Sequence, residues 1–148
     1  MFAGWQFSGI LSAHSGLPFT VTLLSDPTFS GTTARPNRVA DGSVPAEQRT
    51  INHWFDTTAF VAPDCPCFGN SGRNILRGPE FMALDLGVSR NVRLRDTMNL
   101  QFRLEAFNAT NRPNFNVPNA TIGDTRVGTI TSVVSPERQM QAAVKLSF

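Results

Sequence analysis

The chain alternates apolar and polar side chains most cleanly at its end. From Gln139 to Phe148 one side collects Met140, Ala142, Val144, Leu146 and Phe148, and the other collects Gln139, Gln141, Ala143, Lys145 and Ser147. A period of two predicts a strand. The pattern recurs upstream. From Met98, Leu100, Phe102, Leu104 and Ala106 oppose Asn99, Gln101, Arg103 and Glu105. From Phe81, Met82, Leu84, Leu86 and Val88, continuing weakly to Val92 and Leu94, oppose Ala83, Asp85, Gly87, Ser89 and Asn91. A weaker run sets Trp5, Phe7, Gly9 and Leu11 against Gln6, Ser8 and Ser12, with Ile10 breaking the polar side. The expected elements are four antiparallel strands near residues 3–13, 81–93, 97–108 and 138–148, with the later three in sequential order and the last at an edge. Met82, Leu84, Leu100, Phe102, Val144 and Leu146 are expected on one face.

Proline placement agrees, because proline removes a ladder donor and is excluded from paired strand interiors. All ten prolines fall outside the four runs. The connections are unequal: Arg95, Asp96 and Thr97 form a tight polar turn, whereas 14–80 and 109–137 are long and rich in Gly, Pro, Asn and Thr. A run of about ten residues, at ~3.3 Å per residue and ~45° tilt, crosses roughly 25 Å of apolar band. Strands of that length, short turns at one rim and long loops at the other are features of a transmembrane β-barrel. The fold class expected is therefore all-β: an antiparallel meander of about four long strands with two long loops, the C-terminal segment of such a barrel.

Composition leaves this reading in place. With 41% hydrophobic and 16% charged residues and a net charge of +2, the chain resembles an ordinary soluble domain. Half of each barrel strand faces water, so hydropathy does not reveal it. The positive charge is dispersed, so no nucleic-acid partner is expected. Four strands cannot close a barrel, which needs about eight. The opening residues carry neither a basic segment nor a continuous apolar one, so no secretory signal is read there. Residues 1–148 are expected to be a C-terminal barrel fragment of a larger protein, without a plug domain.

The residues then resemble a known family, the barrel end of TonB-dependent outer-membrane transporters of the Oar-like branch. The resemblance starts with the strand Gly4-Trp5-Gln6-Phe7-Ser8-Gly9-Ile10 leading into Ser15-Gly16-Leu17-Pro18-Phe19-Thr20-Val21. It continues through Arg35-Pro36-Asn37-Arg38-Val39, Trp54-Phe55-Asp56-Thr57-Thr58-Ala59-Phe60, and the segment from Phe68-Gly69-Asn70-Ser71-Gly72-Arg73 to Gly78-Pro79. Glu105-Ala106-Phe107-Asn108-Ala109-Thr110-Asn111-Arg112-Pro113-Asn114-Phe115 and Gly128-Thr129-Ile130-Thr131 complete it. Glu80 departs from a usual glycine, and Val127 from a usual aromatic. The resemblance implies a parent that takes up a scarce large solute, whether iron chelate, cobalamin or glycan, using inner-membrane energy. The partners it implies are outer-membrane lipid, the remaining barrel strands and plug domain, the TonB energy-coupling complex and the barrel assembly machinery. It also implies that the final strand (Met140, Ala142, Val144, Leu146, Phe148) carries the assembly signal.

Candidate chemistry is sparse, and no enzyme activity, cofactor or metal site is expected. Cys65 and Cys67 are too close for an ordinary zinc pair, and read as loop thiols or a local disulfide. His14 and His53, far apart, offer no catalytic or metal cluster. Gly69 to Arg73 lacks the Gly-Lys-Ser/Thr ending of a phosphate loop and reads as a turn back into the wall. Asn108 and Asn119 head glycosylation-like triplets that read better as turn formers. Asp85, Arg103, Glu105 and Lys145 occupy the polar register, hence a lumen, where they line a path or pair across strands. Trp5 and Phe148 are expected as aromatics at one membrane interface. Two other readings stay open: a soluble β-sandwich binding or adhesion module, and a four-strand contribution to an oligomeric outer-membrane channel.

Overall fold

The computed structural model describes residues 4–95 and 97–148, in two compact units. The first comprises the described residues up to His14, Phe81–Asn114 and Val134–Phe148. It is one antiparallel sheet of four strands: β1 (Trp5–His14), β2 (Phe81–Arg95), β3 (Met98–Phe107) and β4 (Gln139–Ser147). They lie in chain order, with β1 and β4 at the edges. The fold is therefore an all-β, antiparallel meander whose sheet is open, the arrangement of a barrel segment. The predicted start at residue 3 and Asp96 of the predicted turn lie outside the described residues.

The register follows from the alternation. Phe7, Val88, Leu104 and Ala142 form one cross-strand row, and Gly9, Leu86, Ala106 and Met140 the next. Val92, Leu100 and Leu146 form another, which puts all six residues expected on one face on that face. A slip of one residue would exchange the two faces entirely, so the apolar stripe itself specifies this pairing.

Both long segments leave the sheet at the same end, where His14 pairs with Phe81 and Phe107 with Gln139. At the opposite end Arg95 pairs with Met98 across a two-residue connection. The Asn108 amide donates to Asp85 Oδ1 at 2.9 Å and the Ala109 amide to Leu84 O at 2.7 Å, extending the β2–β3 ladder into the turn. Asn108 and Asn111 take positive φ there (47° and 53°), a region asparagine tolerates. Buried Asn114 accepts from the Met82 amide at 2.9 Å and donates to Ser135 Oγ at 3.0 Å. The asparagines of this segment thus tie the return chain to the sheet.

The second unit comprises Ser15–Glu80 and Phe115–Val133. These segments, read from sequence as loops, have their own apolar core of Phe19, Val21, Phe55, Ala59, Phe60 and Leu76. Phe55 lies at its centre, with ring centroids 5.7 Å from Phe19 and 5.9 Å from Phe60 in tilted and edge-on contacts. The backbone is held by two-residue ladders: Pro18–Phe19 with Leu76–Arg77, Thr22–Leu23 with Thr121–Ile122, and Asn37–Arg38 with Phe60–Val61. Asp56 caps the 3-10 turn Thr57–Ala59, accepting from the Thr58 amide. Glycine is required where strands pass closely, since a Cβ on Gly16 would lie 1.8 Å from the Gly78 carbonyl oxygen. Val127, where the resembled family has an aromatic, packs against this core.

Candidate functional site

The sheet presents two chemically distinct faces, and they are its candidate working surfaces. On the apolar face, Phe7, Leu11, Leu86, Phe102, Leu104, Met140, Val144 and Leu146 are exposed. So large a contiguous apolar surface has no place in water, whereas hydrocarbon accommodates it at no cost.

The opposite face carries Asp85, Arg103, Glu105 and Lys145, all four charges assigned to the polar register. Arg103 pairs with Glu105 along β3, and Gln141 of β4 donates to the same Glu105 carboxylate. Asp85 receives the Asn108 amide, and Lys145 stands opposite Gln101. Among them lies a shallow polar recess of about 160 Å³ lined by Gln6, Ser8, Gly87, Ser89, Gln101 and Arg103. Gly87 is part of its lining, and a Cβ there would come within 2.6 Å of Ser8 Oγ. Of the four, Glu105 is bonded across to β4 through Gln141, and Arg103 pairs within its own strand.

The end of the sheet near the β2–β3 connection has two features that alternation alone does not give. Trp5 shares a row with Arg90, Phe102 and Val144, four positions short of Phe148, so the two aromatics occupy one end but not one row. Arg90 stands on the apolar face with its guanidinium carbon 5.2 Å from the Trp5 ring centroid. The apolar register read from Val88 to Val92 passes over this position. A register shift between Arg93 and Arg95 then makes Leu94 the extra residue and brings Arg95 opposite Met98, on the apolar face.

In the second unit the candidate chemistry resolves into structure. Cys65 and Cys67 form a disulfide. The Asn70 amide donates to Asn37 Oδ1, the Arg38 amide to Asn70 Oδ1 and the Ser71 amide to Pro36 O, so this glycine loop spends its donors on its own unit. Asn119 accepts from the Thr121 amide at 3.0 Å, the turn-forming role expected of it. Among the described residues no three His, Cys, Asp or Glu side chains converge as metal ligands. Asp26 organises an exposed turn by accepting from the Thr28 hydroxyl, the Thr28 and Gly31 amides and the Ser30 hydroxyl. The Thr28 hydroxyl is the main reason its carboxyl is held down to about 2. The turn carries Phe29 at φ 53° with its ring almost wholly in solvent.

A family model described as outer membrane beta barrel domain matches residues 1–141. No curated protein and no solved structure matches the chain.

Proposed function

On the premise that this chain belongs to the outer membrane beta barrel domain family, we propose that it is the C-terminal wall segment of a TonB-dependent, Oar-like transporter. Its place is the outer membrane. The even-numbered faces of β2, β3 and β4 meet lipid, and the face with Asp85, Arg103, Glu105 and Lys145 meets the lumen. The parent binds a scarce large solute, an iron chelate, cobalamin or glycan, and moves it inward with TonB-transmitted energy. The chain acts by binding and passage rather than by catalysis. Its remaining partners are the other barrel strands, the plug and the assembly machinery.

The observation that carries the reading is the second unit's core. The segments through which the chain resembles the Oar-like branch, Trp54 to Phe60 and Phe68 to Pro79, supply Phe55, Ala59, Phe60 and Leu76 to it. A packed unit formed by the connections of barrel strands offers a surface of fixed shape, which recognition of a large solute requires. Strand tilt accommodates the Trp5–Phe148 offset at a single membrane boundary: three interstrand steps of ~4.8 Å at a ~40° tilt correspond to about 12 Å along the strand, close to four residues.

Whole-cell uptake by the full-length parent tests the proposal. Ferric chelates, cobalamin and oligosaccharides are supplied with and without a protonophore. Uptake of one class that stops on de-energisation is the expected result. Uptake unchanged in de-energised cells indicates a passive pore and contradicts it.

A further inference from the structure

A charge on the lipid side of a barrel strand needs a reason. An arginine there costs roughly 2–4 kcal/mol at the bilayer midplane and about 0–1 kcal/mol near the interface. Arg90 and Arg95 both stand on the apolar face, Arg90 in the row of Trp5 and Phe102, and Arg95 opposite Met98. Both therefore belong near the end of the sheet that carries the two-residue connection.

Arg90 lies four residues from the level of Met98, about 13 Å along the strand and about 9 Å in depth at a ~45° tilt, most of which a snorkelling arginine of ~7 Å reach spans. Its guanidinium carbon lies over the Trp5 ring, 5.2 Å from the centroid, in a cation–π contact. A cation–π contact uses no N–H···O hydrogen bond, so the guanidinium keeps donors in a fork that matches phosphate oxygens. Among the described residues no acceptor is hydrogen-bonded to the side chain of Arg90 or Arg95. Asp96 lies outside the described residues.

We infer that Trp5, Arg90 and Arg95 form a binding site for the phosphate of an anionic phospholipid, phosphatidylglycerol being its simplest representative. The leaflet follows from the topology: short connections mark the periplasmic rim of a barrel, and the periplasmic leaflet is the one made of phospholipid. The bulge at Arg93/Arg95 serves this site, since without it Arg95 would face the same side as Arg93. The inference rests on the membrane placement of the sheet, not on transport, and stands or falls separately from the uptake experiment.

The test is native mass spectrometry of the full-length parent, purified from outer membranes and titrated with phosphatidylglycerol in mild detergent. With each basic residue near an anionic lipid surface contributing about 1 kcal/mol, Arg90→Gln and Arg95→Gln should each lower retention about fivefold. Arg93→Gln, on the polar face beside Asn99, should leave it unchanged. Variants are compared only as heat-modifiable, folded protein. Should Arg90→Gln not fold, the wild type still decides: phosphatidylglycerol should be retained over phosphatidylethanolamine, and neither millimolar inorganic phosphate nor lipid A should displace it. Equal retention by all three variants overturns the inference. So does loss of retention with Arg93→Gln, absence of a headgroup preference, or displacement by inorganic phosphate or lipid A.

Discussion

Asp26 illustrates how a single side chain orders an otherwise aperiodic stretch. Four donors from Thr28, Ser30 and Gly31 converge on its two oxygens, and ionisation is what makes it a pure acceptor. A carboxyl depressed from 3.8 to about 2 favours the folded turn above the unfolded value, and that preference is lost as pH falls through about 2. Asp56 shifts in the same direction, first through the Thr58 hydroxyl and then its amide. Carbon-detected NMR of the Asp26 carboxyl in the detergent-solubilised parent should give a midpoint about 2, and a midpoint near 3.8 would show that the turn is not formed. Asn108 is the buried counterpart. Its amide group donates to Arg112 O and Pro136 O, and its oxygen accepts from the Arg112 amide. Asn108→Ala strands these groups and should cost about 1–3 kcal/mol. Urea unfolding in micelles, followed by electrophoretic mobility, reads this loss, and the exposed Asn116→Ala should change little.

At the level of the element, the four strands were legible because a period of two runs through about ten residues of each, broken only locally, as at Ile10 and Arg90. Met98 to Phe107 shows it best, with every even position apolar and every odd one polar up to Glu105. The second unit was not legible, for the opposite reason. Its ladders are two residues long, too short for any period, and Phe19 meets Phe55 and Phe60 from a distant part of the chain through tertiary packing. A physical hint did exist in the density of Phe, Gly and Pro between residues 15 and 80, a composition suited to tight turns around aromatic anchors. Arg95 is hidden by the bulge, which moves it to the other face from the one alternation assigns, whereas Arg90 stands at an apolar-register position in the sequence itself. The last strand carries a prediction of its own. Phe148 continues the row series beyond Leu146, at the end where an interfacial aromatic is favoured. In the intact parent, deleting Phe148 or replacing it with Asp should lower heat-modifiable protein in outer-membrane fractions, whereas Ser147→Ala should not. Equal levels in all three variants would separate the terminal aromatic from assembly.

For the whole molecule, the open edges of β1 and β4 matter as much as the faces. Each has a sheet partner on one side only, and unpaired backbone groups are prohibitively costly in hydrocarbon. The sheet is thus complete only when further strands take up both edges. Residues 1–148 expressed alone should collect in inclusion bodies and regain strand content only in detergent or lipid. A sharp monomeric peak in plain buffer with cooperative unfolding would favour the soluble sandwich. The most direct measurement uses spin labels placed one at a time along β3 of the parent in lipid bilayers, from Asn99 to Glu105. If the even face meets lipid, labels at Leu100, Phe102 and Leu104 collide preferentially with dissolved oxygen, and labels at Asn99, Gln101, Arg103 and Glu105 with a water-soluble nickel chelate, alternating at every residue. Loss of that alternation, or even-numbered positions shielded from both probes as in a buried core, would contradict the assignment of this sheet to the outer-membrane wall.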